Sequence, residues 1–468
     1  MKVSKVISSG IWYTLSNFLV KGIGFLTTPI FTRYLTKAEF GDFSNFATWT
    51  SIFAIIVSLN LESSLIRARF EFEDDLDVYN LSMILLSTLS TTVWYIMVSV
   101  FSGFFQSVLS MGKNYIDAMF IYLLVYPVIN IFQTSERFRY KYKWTVAISV
   151  ALALSTSAIS VILVLVMKNS LHGRIIGYVL PYAIIGSVIY IYYLLRAKKI
   201  TIKYWKYALD IALPFIPHLL SMLILGSMDR VMIKQICGAE ETALYSLAYT
   251  CGTIISLLVS SINNAFSPWL GEQLSKSNYK KIRQISSPYA VIFSFIACGI
   301  VLLTPEILFI LGGNSYMEAK WVIPPVAAGC IMQFLYCMYV NVEQYEKKTR
   351  GMALASIMAA LLNLVLNYIF INKYGYIAAA YTTYIGYLFL LLMHMYLVKR
   401  IGMKNLYNNK IILGVVIAVS AFMIVVNFLF YNNVLRYLFG SAYFIVIIFI
   451  VIKHKNFIKN VLGDIGYE

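Results

Sequence analysis

The chain has 468 residues, of which 60% are hydrophobic and only 13% are charged, and its formal net charge is +17. Soluble domains average about 25% charged and 45–50% apolar residues, so this composition excludes an ordinary soluble protein and indicates an integral membrane protein. The positive charge does not call for a nucleic-acid partner, because lysine and arginine accumulate in the cytoplasmic loops of membrane proteins.

Uncharged runs along the chain predict about 14 membrane-spanning helices, since a spanning helix needs about 20 mainly apolar residues. The predicted spans are 6–32, 43–66, 79–102, 115–135, 144–167, 174–195, 208–233, 242–266, 284–305, 321–343, 351–372, 376–398, 410–431 and 433–452. The first run is too long for a signal-peptide core, so we expect it to be retained. The predicted fold is an all-α integral membrane protein.

The distribution of the 38 lysines and arginines predicts the orientation. The N-terminus, the even-numbered connections and the C-terminal tail hold 27 of them, whereas the odd-numbered connections hold 9. Positive residues mark the cytoplasmic side, so both termini of this multi-pass protein are expected in the cytoplasm and the protein in the cytoplasmic membrane. One basic, aromatic connection, residues 196–210, suits an amphipathic helix on the anionic inner leaflet.

The connections are short, which bears on enzymatic activity. None is much longer than about 15 residues, so a membrane polysaccharide polymerase, which would need a large external catalytic loop, is disfavoured. The five cysteines show no metal-ligand spacing. We therefore expect no enzyme and no cofactor other than a coupling Na⁺ or H⁺.

An internal repeat predicts two lobes. An offset of 201 residues pairs Arg33 with Lys234, and an offset of 202 pairs Gly173 with Gly375. Six helices separate equivalent positions, so the halves keep one orientation, as in parallel repeats. The predicted domains are residues 1–200 and 201–404, each with six helices, and 405–468 with two further helices and a cytoplasmic tail.

A lysine divides the first predicted span. Lys21 separates 15 uncharged residues from 11, and neither piece spans a bilayer alone. A lipid-facing charge at this depth costs roughly 2.5–3.5 kcal/mol, so Lys21 is expected either in an aqueous pathway or in a salt bridge to another helix. It belongs to a polar stripe of helical spacing, formed by Thr14, Asn17, Lys21, Thr28 and Thr32.

Three titratable side chains near or within spans are candidate ion-coupling residues. His218 and Asp229 are 11 residues apart and share a helical face. Asp229 precedes Arg230, so it is either an ion or proton carrier or part of a locked interfacial pair. Glu62 lies near the cytoplasmic end of the second span.

The eighth span carries the longest polar stripe. Its spacing of three and four residues predicts a groove for substrate, although serine and threonine hydroxyls can instead bond carbonyls of their own helix or join neighbouring helices. A shorter stripe, Asn363 and Asn367, lies in the eleventh span. The longer stripe consists of Tyr249, Thr253, Ser256, Ser260, Asn263 and Ser267.

Several loose motifs resemble the polysaccharide-biosynthesis flippases of the Wzx type, within the multidrug/oligosaccharidyl-lipid/polysaccharide (MOP) exporter superfamily. In the first half, the resemblance rests on Arg33-Tyr34-Leu35-Thr36 and on Gly41, which opens the second helix. In the second half, it rests on prolines followed by Asp229-Arg230, Gly238, Tyr245-Ser246 and Ala248-Tyr249. The resemblance extends over essentially the whole chain.

The resemblance implies two lobes around a central cavity and alternating access driven by an ion gradient. The implied substrate is an undecaprenyl-pyrophosphate-linked oligosaccharide, moved from the inner to the outer leaflet for surface polysaccharide synthesis, with other polysaccharide assembly proteins as partners. Lys21, Arg67 and Arg69 are then candidates to attract pyrophosphate, and the hydroxyl and amide stripes, Asn17 included, to bind sugars. Two alternatives are a peptidoglycan precursor (lipid II) flippase and a multidrug/cation antiporter of the same superfamily.

Overall fold

The computed structural model describes residues 2–139, 141–197 and 199–453, and these residues form helices and no strand. Three short 3₁₀ segments, Leu61–Ser64, Leu213–Phe215 and Asn314–Val322, interrupt the α-helices. The α-helices are α1 (Lys2–Tyr34), α2 (Lys37–Ser58), α3 (Leu65–Glu71), α4 (Leu76–Val100), α5 (Ser102–Leu109), α6 (Lys113–Phe138), α7 (Tyr142–Val166), α8 (Ser170–Ala197), α9 (Lys203–Ala212), α10 (Ile216–Ile236), α11 (Ala239–Ser275), α12 (Tyr279–Leu302), α13 (Thr304–Gly312), α14 (Ile323–Tyr345), α15 (Thr349–Tyr374), α16 (Tyr376–Arg400), α17 (Asn409–Leu429) and α18 (Asn433–Lys453).

The all-α membrane fold predicted from hydropathy is confirmed, and every predicted span coincides with helix. Within the described ranges, 11 helices are long and apolar enough to cross a membrane, and the bent pair formed by α2 and Leu61–Glu71 raises this to 12. The two remaining predicted spans coincide with α1 and with α18. The predicted cytoplasmic tail beyond Lys453 lies outside the described residues.

The helices pack into two compact units, Met1–Ala243 and Leu244–Glu468, here called the N-terminal and C-terminal units. Packing therefore groups α9 and α10 with the N-terminal unit, where α10 lies against α2. The lobe boundaries at residues 200 and 404 follow the sequence repeat rather than packing, and they stay a prediction.

The second predicted span is broken near its C-terminal end. It begins at a capping box, in which the Thr36 hydroxyl accepts a hydrogen bond from the Glu39 amide and the Glu39 carboxylate accepts one from the Thr36 amide. It stops at Leu59 and Asn60, whose φ angles of 52° and 51° are left-handed. Such angles are unusual for leucine, so packing must hold this break against local preference.

The basic connection after α8 forms the amphipathic helix α9, as predicted. Tyr204, Ala208 and Ala212 on one of its faces are buried in the same apolar cluster as Leu61 and Tyr79. Pro214 and Pro217 follow it, and the chain passes through a 3₁₀ turn into α10. The two prolines therefore coincide with an interruption near the start of the predicted span 208–233.

Ion pairs hold two acidic residues at the start of α4. The Asp77 carboxylate lies 2.8 Å from the Arg139 guanidinium and 2.6 Å from that of Arg196. Asp75 approaches Lys199 at 3.7 Å. These pairs tie the ends of α4, α6 and α8 together on the side predicted to be cytoplasmic.

Helices α7 and α8 approach so closely that only glycine fits at one crossing. A Cβ atom on Gly177 would lie 2.3 Å from Ser160 Cα. We expect Gly177→Ala to lower the free energy of unfolding by about 1–3 kcal/mol, because backbone atoms must move to admit the methyl group. Thermal unfolding of the detergent-purified protein measures this.

Gly414→Ala is the matched control, because a Cβ there would have no heavy atom within 4 Å. Alanine favours helix over glycine by about 1 kcal/mol, so this variant should unfold at or slightly above the wild-type temperature. Equal melting temperatures for the two variants would contradict the close α7–α8 contact.

Candidate functional site

A polar cavity of about 300 Å³ lies inside the N-terminal unit, among four helices predicted to cross the membrane. Most of its lining residues are polar or aromatic, which is unusual for the interior of a membrane bundle. No carboxylate lines it. The lining residues are Val20, Gly24 and Thr27 of α1; Tyr126, Ile129, Asn130 and Gln133 of α6; Ser149, Leu152, Ala153, Thr156 and Ser157 of α7; and Arg174, Tyr178 and Tyr182 of α8.

Arg174 supplies the cavity with its positive charge. Its guanidinium carbon lies 3.7 Å from the Phe31 ring centroid and 4.2 Å from the Phe43 ring centroid. Across the part of the chain that the structure describes, no carboxylate lies within ion-pair distance of it. The side chain is half-buried, and the two aromatic rings contact its guanidinium.

Tyrosines form one wall below the arginine. Tyr178 and Tyr182 follow Arg174 at one and two helical turns, so the three line one side of α8. Tyr178 stacks on Tyr122 with ring centroids 5.3 Å apart, and Tyr122 stacks on Tyr126 at the same spacing. Stacking fixes the ring positions, which gives the cavity a rigid amphipathic wall.

Neutral hydrogen-bonding groups complete the lining. Gln133 Nε2 donates to Ser149 Oγ at 3.1 Å, which leaves the glutamine carbonyl oxygen and the serine hydroxyl proton for other partners. The Thr156 hydroxyl donates to the Leu152 carbonyl at 2.6 Å and can still accept a bond. The cavity can therefore bind a ligand that carries hydroxyl groups and a negative charge.

The predicted polar stripe of α1 is divided by the structure. Lys21 and Asn17 are exposed and do not line the cavity. Thr28 and Thr32 are buried and donate to the Gly24 and Thr28 carbonyls, at 2.8 and 3.2 Å. The Thr14 side chain lies outside the described residues. The role of Lys21 and Asn17 in substrate binding stays a prediction.

Glu62, Arg67 and Arg69 lie together at the break after α2. Glu62 is in the 3₁₀ turn, and its Oε2 atom is buried without a hydrogen-bond partner among the described residues. Arg67 on α3 is exposed, and the half-buried Arg69 places its guanidinium 5.3 Å from the Phe70 ring centroid. Their predicted roles stay untested.

Asp229 and His218 both lie on α10, as the sequence predicts. Asp229 has no exposed surface, whereas His218 is half-buried in the first turn. Near the other end of α10, Lys234 forms a salt bridge with Asp42 of α2. The buried carboxylate agrees with both interpretations, the ion carrier and the locked pair.

The stripe on α11 makes the local contacts that the alternative interpretation expects. Thr253 and Ser260 donate to carbonyls of their own helix, at 2.6 and 3.0 Å. Ser256 Oγ lies 3.5 Å from Cys330 Sγ, and Asn341 Nδ2 donates to Asn263 Oδ1 at 2.9 Å. Ser256 and Asn263 therefore contact α14, while Tyr249 is half-buried beside Tyr245. Substrate binding by this stripe stays a prediction.

The C-terminal unit contains two buried polar clusters. Asn363 Nδ2 donates to Thr383 Oγ1 at 3.2 Å, and Asn367 Nδ2 donates to Asn363 Oδ1 at 3.1 Å. In the second cluster, His394 Nδ1 lies 2.7 Å from Glu343 Oε1. Within the described ranges no three His, Cys, Asp or Glu residues are grouped as metal ligands.

The sequence prediction did not include Arg174 among the site residues. The predicted span 174–195 begins at Arg174, and the charge count treats the residue only as a marker of topology. The structure begins α8 at Ser170, with Asn169 Oδ1 accepting from the His172 amide at 2.9 Å. This Asn-Ser start signal, and the spacing of Arg174, Tyr178 and Tyr182, could have placed the arginine inside the helix.

Comparison with known families adds two matches. The family model described as "Polysaccharide biosynthesis protein" matches residues 6–274. The MatE family model matches residues 214–369. The first match covers more than half of the 468-residue chain.

Two curated proteins are similar in sequence. An uncharacterized membrane protein of Methanocaldococcus jannaschii, MJ1068, is 22% identical, with 94% of each chain covered. A protein of Haloferax volcanii named "Probable low-salt glycan biosynthesis flippase Agl15" is 23% identical over 39% of this chain and 40% of its own.

Solved structures share the fold. The lipid II flippase MurJ in an inward closed conformation has a TM-score of 0.72 at 15% identity, covering 96% of this chain and 100% of its own. An inward-facing multidrug resistance MATE family transporter of the MOP superfamily has a TM-score of 0.61 at 15% identity, covering 83% and 94%. These similarities confirm the architecture expected for a MOP transporter.

Proposed function

Because the chain belongs to the polysaccharide biosynthesis protein family, within the MOP superfamily of flippases and transporters, we propose that it flips a lipid-linked oligosaccharide. The proposed substrate is an undecaprenyl-pyrophosphate-linked oligosaccharide, moved from the inner to the outer leaflet of the cytoplasmic membrane for surface polysaccharide synthesis. Its polyprenyl tail stays in lipid while the headgroup passes through the protein. Both termini face the cytoplasm in this proposal.

The observation that carries the proposal is the polar cavity beside Arg174, within helices predicted to cross the membrane. A charged side chain there costs roughly 2.5–3.5 kcal/mol on insertion scales, whereas cation–π contacts return about 0.5–2 kcal/mol each. A structural role does not need a charge at this position, because an apolar side chain would pack between the phenylalanines without that cost. A negatively charged headgroup does need it.

The same cavity disfavours a multidrug/cation antiporter. A cationic drug would meet the Arg174 guanidinium and no carboxylate within this lining. Like charges at close range in a medium of low dielectric repel strongly. The charge of the cavity therefore supports an anionic substrate.

In the proposed mechanism, Lys21, Arg67 and Arg69 attract the pyrophosphate group, because ammonium and guanidinium groups form strong hydrogen bonds with phosphate oxygens. The amide and hydroxyl groups of the cavity and of α11 exchange hydrogen bonds with sugar hydroxyls. Asp229, with His218 or Glu62, couples the movement to a Na⁺ or H⁺ gradient. Other polysaccharide assembly proteins supply the substrate and receive it.

Depletion of the protein tests the proposal. We expect one lipid-linked oligosaccharide to accumulate in the inner leaflet, detected by mass spectrometry of extracted lipids and by protection from a membrane-impermeant oxidant. Wild-type protein should restore export, whereas Lys21→Gln should not at equal protein level, because the amide cannot neutralise pyrophosphate.

Lys113→Gln is the control, since Lys113 is an exposed residue at the first position of α6. It should restore export fully. Unchanged lipids together with altered drug sensitivity would reject the flippase, and full export by Lys21→Gln would reject the role of Lys21 alone.

A further inference from the structure

We propose that the cavity beside Arg174 binds an acidic sugar residue of the transported glycan, so that the oligosaccharide carries a carboxylate. This inference rests on the proposed function and adds a substrate class to it. Three properties of the cavity carry it: the geometry of the arginine, the neutral lining and the single charge.

The Arg174 guanidinium contacts two aromatic rings. The ring centroids of Phe31 and Phe43 lie 3.7 and 4.2 Å from its central carbon, and an aromatic ring is a much weaker acceptor for its N–H groups than a carboxylate. The N–H groups lie in the guanidinium plane, where a carboxylate can accept two parallel hydrogen bonds. With no carboxylate of the described chain at ion-pair distance, the ligand supplies the anion.

The neutral part of the lining suits a sugar ring. Tyr126, Tyr178 and Tyr182 offer apolar ring faces and polar hydroxyl tips. A pyranose has the same combination, a C–H-rich face and a rim of hydroxyls. Gln133 and Ser149 keep a carbonyl oxygen and a hydroxyl proton for that rim.

The charge of the lining separates an acidic sugar from the pyrophosphate linkage. One guanidinium matches one negative charge, as on a uronic acid, whereas a pyrophosphate diester carries two. A volume of about 300 Å³ is at the lower end of the range of about 300–1,000 Å³ for small-molecule pockets, so it holds a small part of an oligosaccharide. A single acidic sugar matches both the one positive charge and the small volume of the cavity.

The test uses the purified full-length protein and three soluble probes: methyl glucuronide, methyl glucoside and inorganic pyrophosphate. Ligand-observed NMR titrations measure each dissociation constant. We expect methyl glucuronide to bind about tenfold or more tightly than methyl glucoside, a difference equivalent to one charge-assisted contact. The comparison in the wild-type protein needs no variant and so does not depend on one folding.

Variants then locate the site. Arg174→Gln should abolish the preference for methyl glucuronide, Arg174→Lys should keep part of it, and Lys168→Gln, which changes an exposed residue shortly before α8, should keep all of it. Equal binding of glucuronide and glucoside would overturn the proposal. So would a preference for pyrophosphate that disappears in Arg174→Gln.

The lipid analysis after depletion separates this inference from the proposed function. A neutral oligosaccharide accumulating in the inner leaflet would leave the flippase intact and overturn the acidic sugar. Selective glucuronide binding without any accumulating lipid would leave the site intact and reject the flippase.

Discussion

Replacing His394 with leucine should lower the free energy of unfolding of the C-terminal unit by about 1–3 kcal/mol, the usual cost of leaving a buried polar group without its hydrogen-bond partner. Glu343 and His394 are each only 1% exposed, and His394 Nδ1 contacts Glu343 Oε1 at 2.7 Å. The other carboxyl oxygen, Oε2, has no hydrogen-bond partner among the described residues. Without the imidazole, the whole carboxyl group would be buried without a polar contact.

A double substitution separates this pair from ordinary packing. Glu343→Met combined with His394→Leu should recover much of the stability, because two apolar side chains of similar volume leave no buried polar group without a partner. Thermal unfolding in detergent provides the comparison. A double variant as unstable as His394→Leu would show that shape, rather than the uncompensated carboxyl, decides the effect.

An exposed pair provides the control. Lys276, directly after α11, forms a salt bridge with Glu272 in the last turn of that helix, and the side-chain exposures are 57% and 56%. Water screens such a pair, so Lys276→Leu should leave the melting temperature unchanged. If Lys276→Leu lowered the melting temperature as much as His394→Leu does, burial of the pair could not explain the effect.

Hydropathy could predict the helices but not where one of them bends. A run such as 144–167 contains no charged residue, and in lipid its backbone N–H and C=O groups must bond to one another. A helix allows this within a single segment. The run 43–66 is also uncharged as far as Glu62, yet the helix breaks before it, at Leu59 and Asn60. Neither glycine nor proline marks this position, so the break depends on tertiary packing that a single sequence does not display.

Periodicity could predict polar stripes but not what they face. The α11 stripe has helical spacing, and the structure shows Ser256 beside Cys330 and Asn263 bonded to Asn341 on another helix. The contributions to the N-terminal cavity are spread over four helices, with single positions such as Thr27 and Gln133 on separate segments. No window of one helix contains enough of them to indicate a site.

The charge count did not identify Arg174 as a site residue. Counting arginines and lysines by connection treats each as a marker of the ends of the spans, and Arg67 and Lys168 are both exposed. Arg174 differs from them, because its guanidinium is half-buried against the rings of Phe31 and Phe43. A cation with aromatic residues one and two turns away along the helix is better examined as a site than counted as a loop.

Asp229→Asn should abolish the response of transport to an imposed ion gradient. Asp229 has no exposed surface within α10, and a carboxylate that can be neutralised by Na⁺ or a proton is the simplest way to link an ion to the movement of a helix. Asparagine keeps the shape and cannot release an ion. In proteoliposomes, a Na⁺ or proton gradient should accelerate transport by the wild type by about tenfold or more, a change of ~1.4 kcal/mol in the barrier. The variant should transport at the same rate with and without the gradient.

Asp42→Asn is the matched control, because Asp42 is a carboxylate that already has a cation, Lys234, on the same helix as Asp229. Asp42→Asn removes the ion pair with Lys234 near the end of α10, and transport should still respond to the ion gradient. The locked-pair interpretation of Asp229 and Arg230 makes the opposite prediction for Asp229→Asn: a lower melting temperature with a normal gradient response per folded molecule. Measuring both quantities on the same preparation decides between them, since an ion carrier must lose its response even in protein that remains folded.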